Sequence, residues 1–433
     1  MFQKWICVLH FYQPPFQKPK ILGRVVDECY LPLTNMLIKQ GTDFCIYFNL
    51  NKSLIEQLVF NNHLKVLDNM NTLLKMNKVR LTLTPSFHPI IPLISKEIVI
   101  QQLADNKKML KKHFNIKNFD LFFPPELAYD PNLKIAKEPI LINQSAIGSS
   151  IYCPFVKFND LNYLVRHTDL SNMIMGGELR SFKSFNLNKF IENDKYFVTA
   201  VDAETFGHHR KGYISILESL LNEVETCWVT KETDKFIKVN SLKASSWSSV
   251  NGDLPFILWK DDTNELHQLL WQFVKLIEKA VKTDTDKINF HKALSSCTFW
   301  WASANPWWSI EMVESGAWQM YKAVCYNIRF KALAHKLYTN IVLLAFKWQR
   351  EGLIDAKFAS EPTKTIPFSK RCKKGELEKY INKFKKAEAQ ATTEKNYELA
   401  IKWRDAVTKL LTNTDQFDDW HVVDQLRNYT TRN

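Results

Sequence analysis

Short apolar runs of β-forming residues, repeated every few tens of positions, constrain this chain more than any other feature. They are WICVLH ending at His10, FCIYFNL ending at Leu50, RLTLT ending at Thr84, LFF ending at Phe123, SAIGSS ending at Ser150 and YFVTAV ending at Val201. Most are separated by helix-like segments, of which the amphipathic SLIEQLVFNNHLKVLDNMNTLLKM is the clearest. Strands that are apolar on both faces and alternate with helices belong to a parallel sheet covered on each side. The pattern predicts an α/β fold, either a βα barrel or a doubly wound sheet.

After about Leu254 the periodicity becomes helical, as in ELHQLLWQFVKLIEKAVK and MYKAVCYNIRFKALAHKLYTNIVLLAFKWQ. The expected organisation is a barrel over 1–254, a helical domain closing the cleft over 255–355, a polar proline-containing linker over 356–374, a helical hairpin over 375–413 and a tail over 414–433. In the hairpin, Leu377, Ile381 and Phe384 form one stripe and Leu399, Trp403, Ala406 and Leu410 another, split near Thr392 to Asn396. Its second half, NYELAIKWRDAVTKL, resembles the UVR motif, which implies a protein partner for residues 375–413.

The 433 residues can bury a large core, and the eight cysteines stand singly, with no CxxC pair. Reduced thiols, the lack of a secretory h-region in MFQKWICVLHFYQPP and the lack of an 18-residue apolar run lead to the expectation of a cytoplasmic protein without a membrane anchor. The net charge of +13 comes from lysines interspersed with acids, a solvated face rather than a nucleic-acid footprint. No metal or other cofactor is expected.

The polar residues of interest follow the strand candidates: His10, Gln13, His88, Glu126, Asp202, Glu204 and His208. In a parallel barrel or sheet that end is where ligands bind. Two readings are open for Glu126 in FFPPELAYDP: a carboxylate held as a nucleophile, or an acid at a helix start. Asp202 and Glu204 in VDAETFGHH stand two apart, so on a continuing strand they share a side. One of them with Glu126 makes the carboxylate pair of glycoside hydrolysis; with His208 or His209 they could instead ligate a metal. Tryptophans in SSCTFWWASANPWW and around Trp247 and Trp259 offer flat faces for sugar rings, or belong to the core; Trp247, Trp300 and Trp301 are the binding candidates.

Taken in order over Trp5 to Ala317, these segments resemble glycoside hydrolase family 57. HFYQPP is similar to the family's first motif, with Tyr12 in place of its second histidine, and LTPSFHPIIPL to the second, without an acidic residue common there. FFPPELAYD and VDAETFGHH are similar to the third and fourth, and SSCTFWWAS to the fifth, with Cys297 where many members have aspartate. The resemblance implies a (β/α)7-type barrel followed by a helical domain, Glu126 as nucleophile, Asp202 as acid/base, and an α-glucan or maltooligosaccharide substrate. His10, Gln13, His88, Glu204, His208 and the three tryptophans are then substrate-binding candidates, with Glu204 holding Asp202 or a sugar hydroxyl. Two alternatives stand beside it: a metal-dependent, deacetylase-like carbohydrate hydrolase, and a non-catalytic glucan-binding protein that recruits partners through its hairpin.

Overall fold

The first strand, β1 (Lys4–Phe11), is the only long apolar run near the start of the chain, and it takes a partner on each side. It pairs in parallel with β2 (Ile46–Leu50) and with the distant β7 (Tyr196–Asp202), and β2 pairs in turn with β3 (Val79–Leu81). A single-residue bridge continues the wall: Phe122 joins Leu83 on one side and Ile140 of β4 (Ile140–Asn143) on the other. Next to β4 lies β6 (Leu161–Arg166), and the main-chain amide of His167 donates to the carbonyl of Val198 on β7 at 2.8 Å. The wall therefore runs β1, β2, β3, Phe122, β4, β6, β7, all parallel, and returns to β1, which is a seven-staved barrel. The exception is β5 (Phe155–Phe158), antiparallel to β6.

We describe residues 4–148, 152–183, 196–229, 236–248, 254–281, 283–304, 308–354, 369, 372, 375–394, 396–415 and 423 of this computed structural model. They fall into two compact units, one of residues 1–303 with 309–343 and one of 304–308 with 344–433. None of the helices described is long and apolar enough to cross a membrane.

Alternation along the strands separates two cores. Cys7, Leu9, Phe11, Ile46 and Phe48 belong to the large cluster that includes residues of the surrounding helices. Ile6, Val8, Tyr47, Leu121, Phe123, Leu141, Leu164, Val198 and Ala200 form a second cluster, the barrel interior. Continuing that parity by one step reaches His10, Asn49, Asn143, Arg166 and Asp202. The last inward positions of five staves are thus all polar, set on an apolar plug.

Several local expectations are corrected. The described part of SAIGSS, Ser145 to Gly148, does not form a strand: Gln144–Ile147 is a 3-10 turn and the strand is ILIN just before it. Alanine, serine and glycine are weak strand formers, and Gly148 (φ 59°) carries the turn out. SLIEQLVFNNHLKVLDNMNTLLKM makes two helices, Lys52–Phe60 and Leu64–Lys75, because Asn62 adopts φ 61° between them. The stretch from Met320 to Gln349 is likewise broken, between helices Ile310–Lys322 and Lys331–Arg350, where the Asn327 side chain accepts from the amide of Arg329.

The helices Glu265–Ala280, Asp284–Ala293, Ser296–Trp300 and Ile310–Lys322 belong to the same unit as the barrel. In the other unit, Glu376–Thr393 and Tyr397–Thr412 form a hairpin whose buried residues include Phe384, Trp403, Ala406 and Leu410, with the Phe384 and Trp403 rings 5.1 Å apart. Most of the expected linker, and almost all of the expected tail, lie outside the described residues.

Gly207, just after β7, has φ 116°, and a Cβ built there would sit 2.1 Å from the Glu28 carbonyl oxygen. Gly207→Ala therefore lowers stability by at least ~2 kcal/mol in chemical denaturation, since both the backbone conformation and the space are lost.

Candidate active site

The strand register sets the site. Residue His10 on β1 lies opposite Asn49 on β2 and Asp202 on β7, and Asn143 on β4 lies opposite Arg166 on β6. These five side chains crown the barrel at the carboxyl ends of its strands. Arg166, fully buried, donates from Nε to the Ala200 carbonyl (2.9 Å), from Nη1 to Asn143 Oδ1 (3.2 Å) and from Nη2 to Asn172 Oδ1 (2.9 Å). A cation so fixed is spared the cost of unpaired burial and projects its charge onto Asp202.

Glu126 follows the Phe122 stave in a 3-10 turn, Pro125–Leu127, with φ 58°. No α-helix begins there, so the helix-start reading falls away. Instead of capping backbone amides, the carboxylate accepts from Trp247 Nε1 at Oε2 (2.6 Å) and from Ser296 Oγ at Oε1 (3.1 Å). Trp247 is held in place by its own amide, which donates to the Glu126 carbonyl (2.9 Å). The Glu126 side chain keeps 19% of its exposure, enough for another molecule's atom to reach it.

Both histidines near Glu126 are neutral. Burial lowers His10 to about 4 and holds His88 well below the usual imidazole range. His10 Nδ1 is 2.6 Å from Asn49 Oδ1, and Asn49 in turn donates to Thr82 Oγ1 at 2.8 Å. The rings of Tyr12, His88 and His10 stack, with Tyr12 and His88 centroids 4.0 Å apart and His88 and His10 4.8 Å apart. The hydroxyl of Tyr12 meets Ser295 Oγ (2.6 Å), and its phenol and the Cys297 thiol perturb one another. The two departures from the family pattern, Tyr12 and Cys297, are therefore neighbours beside Glu126.

Asp202 and Glu204 do not share one face. The strand ends at Asp202 and a 3-10 turn, Ala203–Thr205, swings Glu204 away. There Glu204 accepts from Tyr30 Oη and from Gln13 Nε2 (3.0 Å). Gln13 is itself oriented by Gln17, whose amide donates to its carbonyl oxygen (2.9 Å). His208 faces elsewhere again, with Nδ1 2.5 Å from Glu28 Oε2. Trp300 and Trp301 stand four and five residues beyond Ser296, edge to face at 5.0 Å and half-exposed, whereas Trp259 is wholly buried and accepts from Trp271. Among the described residues, no group of three or more His, Cys, Asp or Glu side chains is arranged to hold a metal ion.

Burial raises all three carboxyls. Glu126 is pushed up to about 7, first by burial and then by the Asp202 charge, while the bonds from Trp247 and Ser296 pull it back. Asp202 is pushed up to about 6 by burial against the pull of Arg166. Glu204 is pushed up by burial and by Asp202, with Tyr30 and Gln13 opposing. Near neutral pH the site therefore holds fewer negative charges than it has carboxyls, and protons are shared among neighbours. Such an arrangement can deliver a proton and a carboxylate to the same bound molecule.

Asn49, Asn143, Arg166, Tyr30 and Ser296 were not named from sequence. The first three carry a signal that strand parity would have found, being the last inward positions of β2, β4 and β6. Tyr30 and Ser296 reach the site across 174 and 170 residues and carry none.

Because the Trp247 indole donates to the ionised form of Glu126, Trp247→Phe raises the Glu126 pKa further above 7, by about 1 unit. A difference-infrared titration of the carboxyl band reads this directly; an unmoved midpoint contradicts the assigned bond.

Comparison with solved structures places the fold. The chain superposes on a 4-α-glucanotransferase from Thermococcus litoralis with TM-score 0.60 and 14% identity, covering 75% of this chain and 58% of that one. It superposes on a branching enzyme from Thermococcus kodakaraensis with TM-score 0.61 and 12% identity, covering 79% and 94%. An α-amylase from Thermotoga maritima gives TM-score 0.53 and 14% identity, covering 84% and 98%. At such identities the likeness is one of fold, and the chain spans little more than half the length of the glucanotransferase. No curated protein matches the sequence. The sequence model of glycosyl hydrolase family 57 matches residues 9–238, more than half of the chain, from the end of β1 through every later stave of the barrel, and the chain belongs to that family.

Proposed function

We propose that the protein is a retaining glycoside hydrolase or transglycosylase of α-linked glucans, with Glu126 as nucleophile and Asp202 as acid/base. The observation that carries this reading is the pair itself: two carboxyls from different staves, at the ligand-binding end of the barrel, each raised towards neutrality by burial, with the Asp202 charge adding to the rise at Glu126. Family membership supports the reaction class. The substrate class rests on the names of the solved relatives, a glucanotransferase, a branching enzyme and an α-amylase.

The chemistry follows from the pair. A Glu126 oxygen attacks the anomeric carbon while Asp202 gives its proton to the departing glycosidic oxygen, leaving a glycosyl ester on Glu126. Asp202, now ionised, takes a proton from water or from a sugar hydroxyl, which attacks the anomeric carbon, frees Glu126 and restores the original configuration. The first step needs the shared proton on Asp202 and the charge on Glu126. In the free site the order is the reverse, about 6 against about 7. A glycosidic oxygen accepting a hydrogen bond from protonated Asp202 favours that form, so substrate binding moves the proton to where it is used. Arg166 helps the second step by stabilising ionised Asp202.

Two outcomes are expected. The kcat/KM profile is a narrow bell with its maximum between about pH 6 and 7; because the reactive form carries its proton on the more acidic group, the acid limb follows the Asp202 value, about 6, and the alkaline limb the Glu126 value, about 7. With maltoheptaose, Glu126→Gln and Asp202→Asn each turn over at least ~10²-fold more slowly than the wild type. Chromatography of the products separates water from sugar as acceptor, through shorter chains alone or a ladder of longer ones. Full activity in Glu126→Gln would overturn the assignment.

A further inference from the structure

We propose that Ser296 is a positioning residue for Glu126, its hydroxyl donating to Oε1 and receiving the Nδ1 proton of His88, so that one hydroxyl fixes both the nucleophile and the histidine tautomer. This deepens the reading of Glu126 as nucleophile and rests on it.

Proton counting gives the direction of each bond. Ser296 Oγ lies 3.1 Å from Glu126 Oε1 and 2.9 Å from His88 Nδ1. In the ionised form in which Glu126 reacts, its carboxylate only accepts, so the one hydroxyl proton goes to Glu126. The bond to His88 then needs the imidazole as donor. A neutral imidazole has a single N–H, which places it on Nδ1 and leaves Nε2 with a bare lone pair. Nε2 is buried and finds no hydrogen-bond partner among the described residues. A buried unpaired acceptor is more readily tolerated than a buried unpaired N–H, so this agrees with the tautomer. The direct approach of His88 Nδ1 to Glu126 Oε1 is 3.8 Å, too long for a hydrogen bond, and Ser296 fills that gap.

The surroundings hold the relay in one geometry. Ser296 is fully buried, so bulk water does not compete for its hydroxyl. Its amide donates to the His88 carbonyl (2.8 Å), and Pro89 bridges to Ser295, joining segments 208 residues apart. Both Tyr12 and His10 pack against the His88 ring, with planes 19° and 24° from its own, and against each other at 5.7 Å, so the three rings form one close cluster. Tyr12 thus acts on Glu126 through His88 and Ser296, which gives a structural role to an aromatic residue at that position.

Two measurements test the proposal on the full-length protein. In histidine-15N-labelled wild type at about pH 8.5, where Glu126 is ionised, long-range proton–nitrogen correlation spectra, with His88 assigned by its loss in His88→Gln, should show Nδ1 protonated and Nε2 bare. In Ser296→Ala, kcat/KM on maltoheptaose should fall about tenfold at its maximum and on the acid side while the alkaline limb moves up by about 1 pH unit, with an unchanged circular dichroism spectrum. The sign follows because removing a donor to the ionised form raises the pKa of Glu126. A protonated Nε2 in the wild type, or an alkaline limb unmoved in Ser296→Ala, overturns the relay. Activity surviving in Glu126→Gln would instead overturn the nucleophile assignment, leaving the tautomer result standing.

Discussion

The pairing of β1 with both β2 and β7 is the constraint on which the rest of the site depends. A strand near the start of the chain and one nearly two hundred residues later are joined in register, so that His10, Asn49 and Asp202 share one level. Because side chains alternate along a strand, the same register that buries Ile6, Val8, Tyr47, Val198 and Ala200 lifts the polar residues to the rim. A slip of one residue would turn Asp202 outward and bring an apolar neighbour in. Packing of the lumen and placement of the chemistry are thus one condition rather than two.

Above that plug, desolvation governs the electrostatics. Carboxyls at a barrel mouth would ordinarily ionise well below neutral pH; here burial lifts Glu126, Asp202 and Glu204 together. Opposing contacts then set them apart. Glu126 has an indole and a hydroxyl as donors, Asp202 has the charge of Arg166, and Glu204 has Tyr30 and Gln13. A small change in any partner, including the arrival of a glycosidic oxygen, is enough to move a proton between neighbours. That sensitivity is what a double-displacement reaction needs, since the same group must be acid in one step and base in the next.

Much of the fold was legible because burial on both faces leaves a plain trace. WICVLH, FCIYFNL and YFVTAV are apolar over most of their length, and all three proved to be staves. The trace weakened where a stave is one residue long, as at Phe122, and it misled at SAIGSS, where the strand is the preceding ILIN. Glu126, Asp202, His10 and His88 were legible as polar residues just past strands, and they do meet near the barrel mouth. Glu204 was harder: its spacing from Asp202 suggested a shared face, but the strand stopped and a turn redirected it to Tyr30. The contacts of Ser296 and Tyr30 join segments far apart in sequence, and no local pattern announces them. His208, read as a site candidate from its neighbours, is engaged with Glu28 instead.

The central claim is that Glu126 forms a bond to sugar. Incubation with a 5-fluoro-α-glucosyl fluoride, which slows breakdown of a glycosyl ester more than its formation, followed by peptide mass spectrometry, tests this most directly. The account predicts one label, on the peptide containing Glu126, with the mass of a fluoroglucosyl group and absent in Glu126→Gln. A label on Asp202 or Glu204, or no covalent adduct while the substrate is turned over, would contradict it.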